Sequence, residues 1–326
     1  MRKVKMGKKM FVFISVLTFI ISLALGIVST FAIKPAWTKD YSVTWSDDIG
    51  TRYTDLAYGE GEANKFDLYL PKDSSKEHYG LVIYLHAGGF TTGDKSDDEA
   101  MLSWLTSKGY VAAGINYTLR NETNTASVLS QSNEIKEAIP KVIDAAKEYG
   151  YNIDEMAVAG GSAGHALAML YSYRDGANSP VPIKLTFGAV GPSSFYVEDW
   201  GIFGLGQDTE ESREAGANLL SVMSGEEITA EMIADGSYLE KVKPIAASEW
   251  ITENSPATVV AYGTHDKMQP FQASQRLLQT LEENKIDYKY FEMPHSGHGL
   301  QNDSKLYQEY METVEEYLNL YMPVNN

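Results

Sequence analysis

Eight short runs of strand-forming residues alternate along this chain with stretches that have helical periodicity. Several of the runs are continuously apolar, as expected for parallel strands that are covered on both faces. The predicted strands span residues 51–58, 65–70, 81–86, 111–116, 156–161, 184–190, 257–263 and 288–293. The predicted helices span residues 96–109, 131–150, 269–285 and 304–321. This alternation predicts an α/β fold with one mostly parallel central sheet and helices on both faces.

The interval of about 192–256 breaks the alternation and is interpreted as a small cap inserted into the fold. We expect the α/β domain to occupy residues 51–322, preceded by a linker at 35–50. Four aromatic residues are concentrated at the start of the cap: Phe195, Tyr196, Trp200 and Phe203. They fit two hypotheses equally, because they would serve either to line a substrate pocket or to pack the cap onto the domain.

The first 34 residues differ from the rest of the chain. Five basic residues precede a run without charge that extends for 23 residues, from Phe11 to Ile33. At about 1.5 Å per residue, a helix of this length reaches roughly 34 Å, enough to cross the core of a bilayer. Signal peptides usually have a shorter apolar region, of about 7–15 residues, and a small-x-small cleavage site.

An uncleaved signal-anchor and a cleaved signal peptide therefore both remain open for residues 1–34. Because the basic residues precede the apolar run, either alternative predicts export of the remaining chain. We expect the N-terminal segment to insert in the membrane. The protein would then lie at the extracellular face of the cell membrane, or be secreted.

Charge and cysteine content exclude several classes of function. The formal net charge is −17, and the first 34 residues carry six basic side chains and no acidic one, so the remainder carries −23. A surface of this sign repels nucleic acid, which is not expected as a partner. The chain has no cysteine, which excludes disulfides, thiolate metal sites and a cysteine nucleophile. We expect neither a metal nor an organic cofactor.

A glycine-x-serine-x-glycine motif from Gly160 to Gly164 places Ser162 where a predicted strand is followed by a helix. In a nucleophile elbow, the serine occupies a strained turn of this kind and small flanking residues let backbone segments pass closely. The alternative is a glycine-rich turn without any chemistry. The strand before the motif and the helix after it favour Ser162 as a nucleophile.

A serine hydroxyl needs a base, itself oriented by an acid, to act as a nucleophile at neutral pH. In this arrangement the acid and then the base follow the serine along the chain, in loops after later strands. Asp266 follows the seventh predicted strand, and His298 lies in the loop after the eighth. His295, in the same loop, is the rival base. His265, beside Asp266, is interpreted as a surface residue.

The loop after the third predicted strand offers the groups that a developing oxyanion requires. Gly88 and Gly89 supply backbone N–H groups there, and Ala163, directly after Ser162, supplies another. Removing one such donor typically costs about 10²–10³ in turnover. We therefore predict an oxyanion hole formed by Gly88, Gly89 and Ala163.

Six segments carry a resemblance to a known family: KFDLYLP, HAGGF, INYTLR, GGSAGH, YGTHDKMQP and PHSGHGL. On these segments, which span about 65–300, the chain resembles α/β-hydrolase carboxylesterases. It is similar to the hormone-sensitive-lipase and bacterial feruloyl/acetyl-esterase-like groups. The resemblance implies the α/β-hydrolase fold, with Ser162 as nucleophile, Asp266 as acid and His298 as base. It also implies that His86 is structural and holds its loop.

Three departures from the pattern of these groups bear on specificity. Ala87 replaces a glycine, which is expected to tighten or re-aim the oxyanion loop. His165 stands where such esterases often have another glycine, and is expected either to crowd the site or to contact the substrate. Residues 120–134 lack the Pro…Asp pattern common in the group. Together these departures leave the substrate class open.

These features predict an exported serine carboxylesterase that acts on small or carbohydrate-linked esters through an acyl-serine intermediate. Two alternatives remain. A serine peptidase on the same fold would require a subsite for a peptide amine. A non-catalytic surface binding module would usually have lost one member of the triad.

Overall fold

The computed structural model describes residues 35–324. The described residues fall into two units, 35–40 and 41–324. In the first unit, the described residues form a short 3-10 helix, Ala36–Asp40. The apolar run predicted to insert in the membrane, 11–33, lies outside the described residues. Among the helices within 35–324, none is both long enough and apolar enough to cross a membrane.

A single eight-stranded sheet forms the centre of the second unit. Its strands are β1 (Gly50–Ala57), β2 (Lys65–Pro71), β3 (Tyr79–Leu85), β4 (Val111–Ile115), β5 (Ile153–Gly161), β6 (Ile183–Ala189), β7 (Ala257–Gly263) and β8 (Tyr288–Met293). The order across the sheet is β1-β2-β4-β3-β5-β6-β7-β8. Strand β2 is antiparallel to both neighbours, and the pairs from β4 to β8 are parallel. The predicted mostly parallel sheet is therefore confirmed.

Eight α-helices accompany the sheet within the described residues. They are α1 (Glu99–Ser107), α2 (Val128–Glu148), α3 (Ala163–Leu170), α4 (Glu210–Ser224), α5 (Ala230–Asp235), α6 (Leu239–Val242), α7 (Phe271–Glu283) and α8 (Ser304–Tyr321). The four helices predicted by range correspond to α1, α2, α7 and α8, and the helix predicted directly after Ser162 corresponds to α3. Helix α2 begins with a capping box, in which Ser127 and Ser130 each accept the other's backbone N–H, and it continues through Pro140.

The central parallel strands are buried because helices cover both faces of the sheet. All five residues of β4 and all seven of β7 are buried, which explains their continuous apolar sequences. Full burial of a valine or leucine side chain contributes about 1.5–3 kcal/mol. Because β3 to β8 run in one direction, the loops that follow β3, β5, β7 and β8 all lie at one edge of the sheet.

The segment between β6 and β7 contains α4, α5 and α6. A buried carboxylate fastens its first part to α7, since Asp199 accepts hydrogen bonds from Arg276 Nε at 2.6 Å and Nη2 at 3.1 Å. The Arg276 guanidinium also lies over the ring of Tyr196, 3.8 Å from its centroid. The predicted bounds of the cap, of the linker and of the whole domain remain predictions.

The four aromatic residues at the start of this segment do not share one environment. Phe195 and Trp200 are buried, with ring centroids 5.7 Å apart. Phe203 lies beside Trp200 but is 47% exposed. Tyr196 is partly covered by Arg276. The packing hypothesis therefore accounts for Phe195 and Trp200.

Candidate active site

Ser162 occupies a strained turn between β5 and α3. Its φ of 50° and ψ of −118° place it in a region that residues other than glycine rarely adopt. Such a conformation costs of order 1–3 kcal/mol and persists only where the surrounding structure fixes it. Here the Ser162 N–H donates to the carbonyl of Ala189, at the end of β6, at 2.9 Å. The serine is thus held at the edge of the sheet.

The outer glycines of the motif are required by close backbone packing. A Cβ at Gly164 would lie 1.9 Å from the carbonyl oxygen of Leu85 and 2.7 Å from that of His86. A Cβ at Gly160 would lie 2.5 Å from the carbonyl carbon of Gly164. At Gly161, by contrast, the nearest atom would be the Cβ of Ala87, at 4.0 Å. Gly160 and Gly164 therefore let β5 and α3 approach the end of β3.

Ser162, His298 and Asp266 form a continuous chain of hydrogen bonds. Ser162 Oγ lies 2.8 Å from His298 Nε2, and His298 Nδ1 lies 2.7 Å from Asp266 Oδ2. The Asp266 side chain is 1% exposed, and its other oxygen accepts the N–H groups of Met268 and Gln269 at 2.7 and 3.0 Å. Since a carboxylate can only accept, His298 Nδ1 carries the proton and Nε2 is free to receive one from Ser162.

The other two histidines near these loops point elsewhere. His295 directs its Nδ1 to Asp303, at 2.8 Å, and its side chain is 77% exposed. His265 is exposed, as predicted, with its Nδ1 2.9 Å from Thr264 Oγ1. Of the two candidate bases, the structure therefore brings His298 and not His295 to Ser162.

The loop after β3 leaves backbone donors free beside Ser162. Gly88 and Gly89 have φ values of 124° and 59°, and the carbonyl of Gly88 accepts the N–H groups of Thr91 and Thr92. No acceptor within residues 35–324 receives the N–H of Gly88 or Gly89. Ala163 is the first residue of α3, where the helix provides no acceptor for its N–H. All three N–H groups are thus left without an acceptor in the described part of the chain.

His86 holds the start of this loop. Its Nδ1–H donates to the carbonyl of Ala87 at 2.7 Å, and its ring stacks on Tyr117 with 4.3 Å between centroids. Tyr117 Oη in turn donates to the carbonyl of His86 at 2.9 Å. Burial lowers the pKa of His86, which favours the neutral ring. These contacts fit the structural role that the family resemblance implies.

His165 is completely buried behind the site. Its Nδ1 accepts the N–H of Gly191 at 3.1 Å, and a Cβ at Gly188 would lie 2.5 Å from its ring. Burial lowers the pKa of His165 to about 3, so the ring is neutral. His165 therefore packs inside the domain and does not face the substrate.

Two polar residues near the site were missed by sequence analysis. Gln131 donates through Nε2 to the carbonyls of Phe90 and Thr118, at 2.9 and 2.8 Å, and so braces the loop that carries Gly89. Asp303 binds the loop that carries His298. Its only signal in the sequence is an aspartate directly before a helix, which is typical of an ordinary cap. In the described part of the chain, no three His, Asp or Glu side chains are grouped so as to hold a metal.

Comparison with known proteins identifies the family and the fold of the chain. The BD-FAE family profile matches residues 66–281, more than half of the chain. This range includes Ser162 and Asp266 and ends before His298. Kynurenine formamidase of Salmo salar is 33% identical over 118 residues, which are 36% of this chain and 37% of that protein. The probable carboxylic ester hydrolase LipM of Mycobacterium tuberculosis is 33% identical over 119 residues, which are 36% of this chain and 27% of that protein.

The chain thus spans less than two fifths of the length of these curated relatives. Among solved structures, an inhibited form of esterase B from Lactobacillus rhamnosis superposes with a TM-score of 0.64 at 18% identity. That match covers 94% of this chain and 96% of the other, and shows a common fold. From the profile match and the α/β-hydrolase architecture, the chain belongs to the BD-FAE family of α/β-hydrolase esterases.

Proposed function

We propose that this protein is a serine carboxylesterase that hydrolyses small or carbohydrate-linked carboxylic esters through an acyl-serine intermediate. The observation that carries the proposal is the hydrogen-bonded chain from Ser162 through His298 to the buried Asp266. The free N–H groups of Gly88, Gly89 and Ala163 beside it support the same reaction. Similarity to a probable carboxylic ester hydrolase favours an ester as the substrate.

In the first half of the reaction, Ser162 Oγ attacks the ester carbonyl carbon while its proton passes to His298 Nε2. The carbonyl oxygen becomes an oxyanion, which accepts hydrogen bonds from the N–H groups of the oxyanion hole. Asp266 stabilises the imidazolium through the bond to Nδ1. When the tetrahedral intermediate collapses, His298 returns the proton to the leaving alkoxide. The alcohol departs and the acyl group remains on Ser162.

In the second half, water replaces the alcohol. His298 Nε2 takes a proton from the water as its oxygen attacks the acyl carbon, and the same donors stabilise the second oxyanion. Collapse of this intermediate breaks the bond to Ser162 Oγ, and His298 gives the proton back to it. The carboxylic acid leaves and the free enzyme is restored.

The first test is hydrolysis of p-nitrophenyl acetate, butyrate and octanoate by the full-length chain and its Ser162→Ala variant. Loss of the triad serine lowers kcat by about 10⁶ in subtilisin, so a loss of activity in Ser162→Ala should be easy to measure. Ser172→Ala is the control, because Ser172 is a buried serine directly after α3 that takes no part in the proposed triad. We expect activity to vanish in Ser162→Ala and to persist in the control. Equal activity in Ser162→Ala and wild type would contradict the proposal.

The same assay separates the alternatives. Because one relative is named a formamidase, an N-formyl aryl amide is the second substrate, and a short chromogenic peptide is the third. Faster turnover of the esters supports the carboxylesterase. A preference for the peptide would favour a peptidase, and a folded protein inert toward all three would favour a binding module.

A polar cavity of about 510 Å³ supports a carbohydrate as the alcohol part of the ester. It lies between the start of α2 and the end of α4. It adjoins the oxyanion loop, because Arg120, one of its lining residues, donates its N–H to the carbonyl of Phe90 at 3.0 Å. Its other polar lining residues are Thr125, Ser127, Ser130, Asn133, Ser221, Ser224, Glu226 and Glu227. Four of them, Ser127, Ser130, Ser221 and Ser224, already hydrogen-bond within the protein. Thr125, Asn133 and Glu227 are therefore the groups that we propose donate to and accept from sugar hydroxyls.

Kinetics on two esters test the role of this cavity. Asn133→Ala should raise KM for an acetylated disaccharide several-fold and leave p-nitrophenyl acetate unaffected, since that ester has no sugar. Asn152→Ala, an exposed asparagine that does not line the cavity, is the control. Equal kinetics of wild type and Asn133→Ala on the disaccharide would remove the carbohydrate part of the proposal.

We also propose that residues 1–34 export the domain and insert in the membrane. The basic cluster followed by the apolar run supports this. Protease treatment of intact cells should digest the domain if it is exposed outside, and protection of the domain until lysis would contradict export.

A further inference from the structure

A buried carboxylate lies beside the proposed active site but outside the triad. Asp303 follows the loop after β8, and its side chain is 4% exposed. One oxygen accepts the backbone N–H of His295 at 2.9 Å and the hydroxyl of Ser296 at 2.6 Å. The other oxygen accepts His295 Nδ1–H at 2.8 Å. Asp303 thus gathers three donors from two adjacent residues.

Ser296 connects this carboxylate to the loop of the proposed acid. Its hydroxyl donates to Asp303 and accepts the N–H of Asn302 at 3.0 Å, while its carbonyl accepts the N–H of His265 at 3.0 Å. His265 directly precedes Asp266. Ser296, which donates to Asp303, is therefore also hydrogen-bonded to His265, the residue next to Asp266.

The loop that carries Asp266 and the loop that carries His298 are also in close backbone contact. A Cβ at Gly263 would lie 2.4 Å from the carbonyl oxygen of Gly297 and 2.5 Å from that of Ser296. Thr264 Oγ1 donates to the carbonyl of Pro294 at 3.0 Å. His298 follows Gly297 directly, so a shift of this loop would move the imidazole.

His298 depends on its loop for orientation. Its side chain is 27% exposed, so burial alone does not fix the ring between Ser162 and Asp266. Its hydrogen bond to Asp266 needs the two loops in register, because Asp266 comes from one loop and His298 from the other. That bond orients the ring so that Nε2 reaches Ser162.

The three donors require a carboxylate at position 303. Burial raises the pKa of Asp303, but the hydrogen bonds from Ser296 and His295 outweigh this and lower the pKa below its ordinary value. An asparagine would place an NH₂ group against one of the donors.

Resting on the proposed serine mechanism, we infer that Asp303 is a positioning residue, which acts through Ser296 to hold the His298 loop in register with the Asp266 loop. It touches no reacting atom. Its effect on the reaction is the placement of His298 Nε2 at hydrogen-bond distance from Ser162.

The test compares two aspartates at opposite ends of the same elements. Asp303 joins the end of β8 to the start of α8, whereas Asp287 precedes β8 and accepts the hydroxyls of Tyr317 and Tyr321 near the end of α8. Each is changed to asparagine in the full-length chain. The readouts are kcat and KM on p-nitrophenyl acetate, the melting temperature, and the low-field proton NMR signal of His298 Nδ1–H.

For Asp303→Asn we expect kcat to fall by about 10–100-fold with KM nearly unchanged, since a misplacement of about 1 Å is enough for the larger loss. The Nδ1–H signal should shift or broaden. Asp287→Asn should lower the melting temperature but keep kcat and the signal. Wild-type kcat in folded Asp303→Asn, or equal loss of kcat in both variants, would overturn the inference.

Three further variants keep the inference testable if Asp303→Asn does not fold. Ser296→Ala removes the link to the Asp266 loop, and His295→Ala removes the outer donor. We expect a lower kcat in Ser296→Ala, a smaller effect in His295→Ala, and recovery of activity in Ser296→Thr. Wild-type kcat in Ser296→Ala would refute the proposal that Asp303 acts through Ser296. Failure of the serine mechanism itself would be distinct, because Ser162→Ala would then retain activity.

Discussion

Gly164→Ala tests whether the backbone contact between α3 and β3 sets the oxyanion hole. The new Cβ would lie 1.9 Å from the carbonyl oxygen of Leu85. Since carbon and carbonyl oxygen need about 3.3 Å, the two segments must separate by about 1.4 Å. Overpacking of this kind typically costs about 1–3 kcal/mol. This separation would move both the N–H group of Ala163 and the loop that carries Gly88 and Gly89.

A misplacement of about 1 Å can cost about 10²-fold in rate, so kcat of Gly164→Ala on p-nitrophenyl butyrate should fall by about that factor. KM should change little, because the donors act mainly in the transition state. Gly161→Ala is the control, since its Cβ would have 4.0 Å of clearance. Melting temperatures of both variants report folding. The reasoning is refuted if folded Gly164→Ala retains wild-type kcat, or if both variants lose kcat equally.

Two other substitutions give clear expectations. Asp266→Asn should remain folded, but its kcat should fall by about 10⁴, as it does for the equivalent change in the general Ser-His-Asp template. A loss of kcat below tenfold would argue against Asp266 as the acid. Burial and the adjacent Asp97 raise the pKa of Asp98 to about 7, so between about pH 4 and 7 the folded state holds a proton that the unfolded chain releases. The unfolding free energy of wild type should therefore fall as pH rises through this window, and Asp98→Asn should lack this part of the fall. Parallel melting curves for both proteins at pH 5 and pH 8 would contradict this.

Much of the fold could be predicted because its signals are local. Buried parallel strands require continuous apolar residues, and each of the eight predicted strands overlaps an observed one. Ser162 could be placed because its turn needs glycines at 160 and 164, a requirement that the sequence displays directly. The order of Asp266 and His298 along the chain follows from the order of the strands.

The supporting contacts could not be predicted, because they join residues whose proximity depends on the fold. Asp303 resembles any helix cap until the turn brings it to Ser296. The pairing of Asp199 with Arg276 spans 77 positions, and no sequence pattern relates them. The choice between His298 and His295 likewise depended on which imidazole faces Ser162. The two histidines lie in the same loop, so the sequence alone does not show which ring reaches the serine.

The pairing of Arg276 with Asp199 has a kinetic consequence. Two charge-assisted hydrogen bonds and a stacked tyrosine join the β6–β7 segment to α7, so lifting this segment as a flap would break all three at once. We therefore expect no interfacial activation. Turnover should rise hyperbolically with dissolved ester and show no jump when the ester separates into droplets.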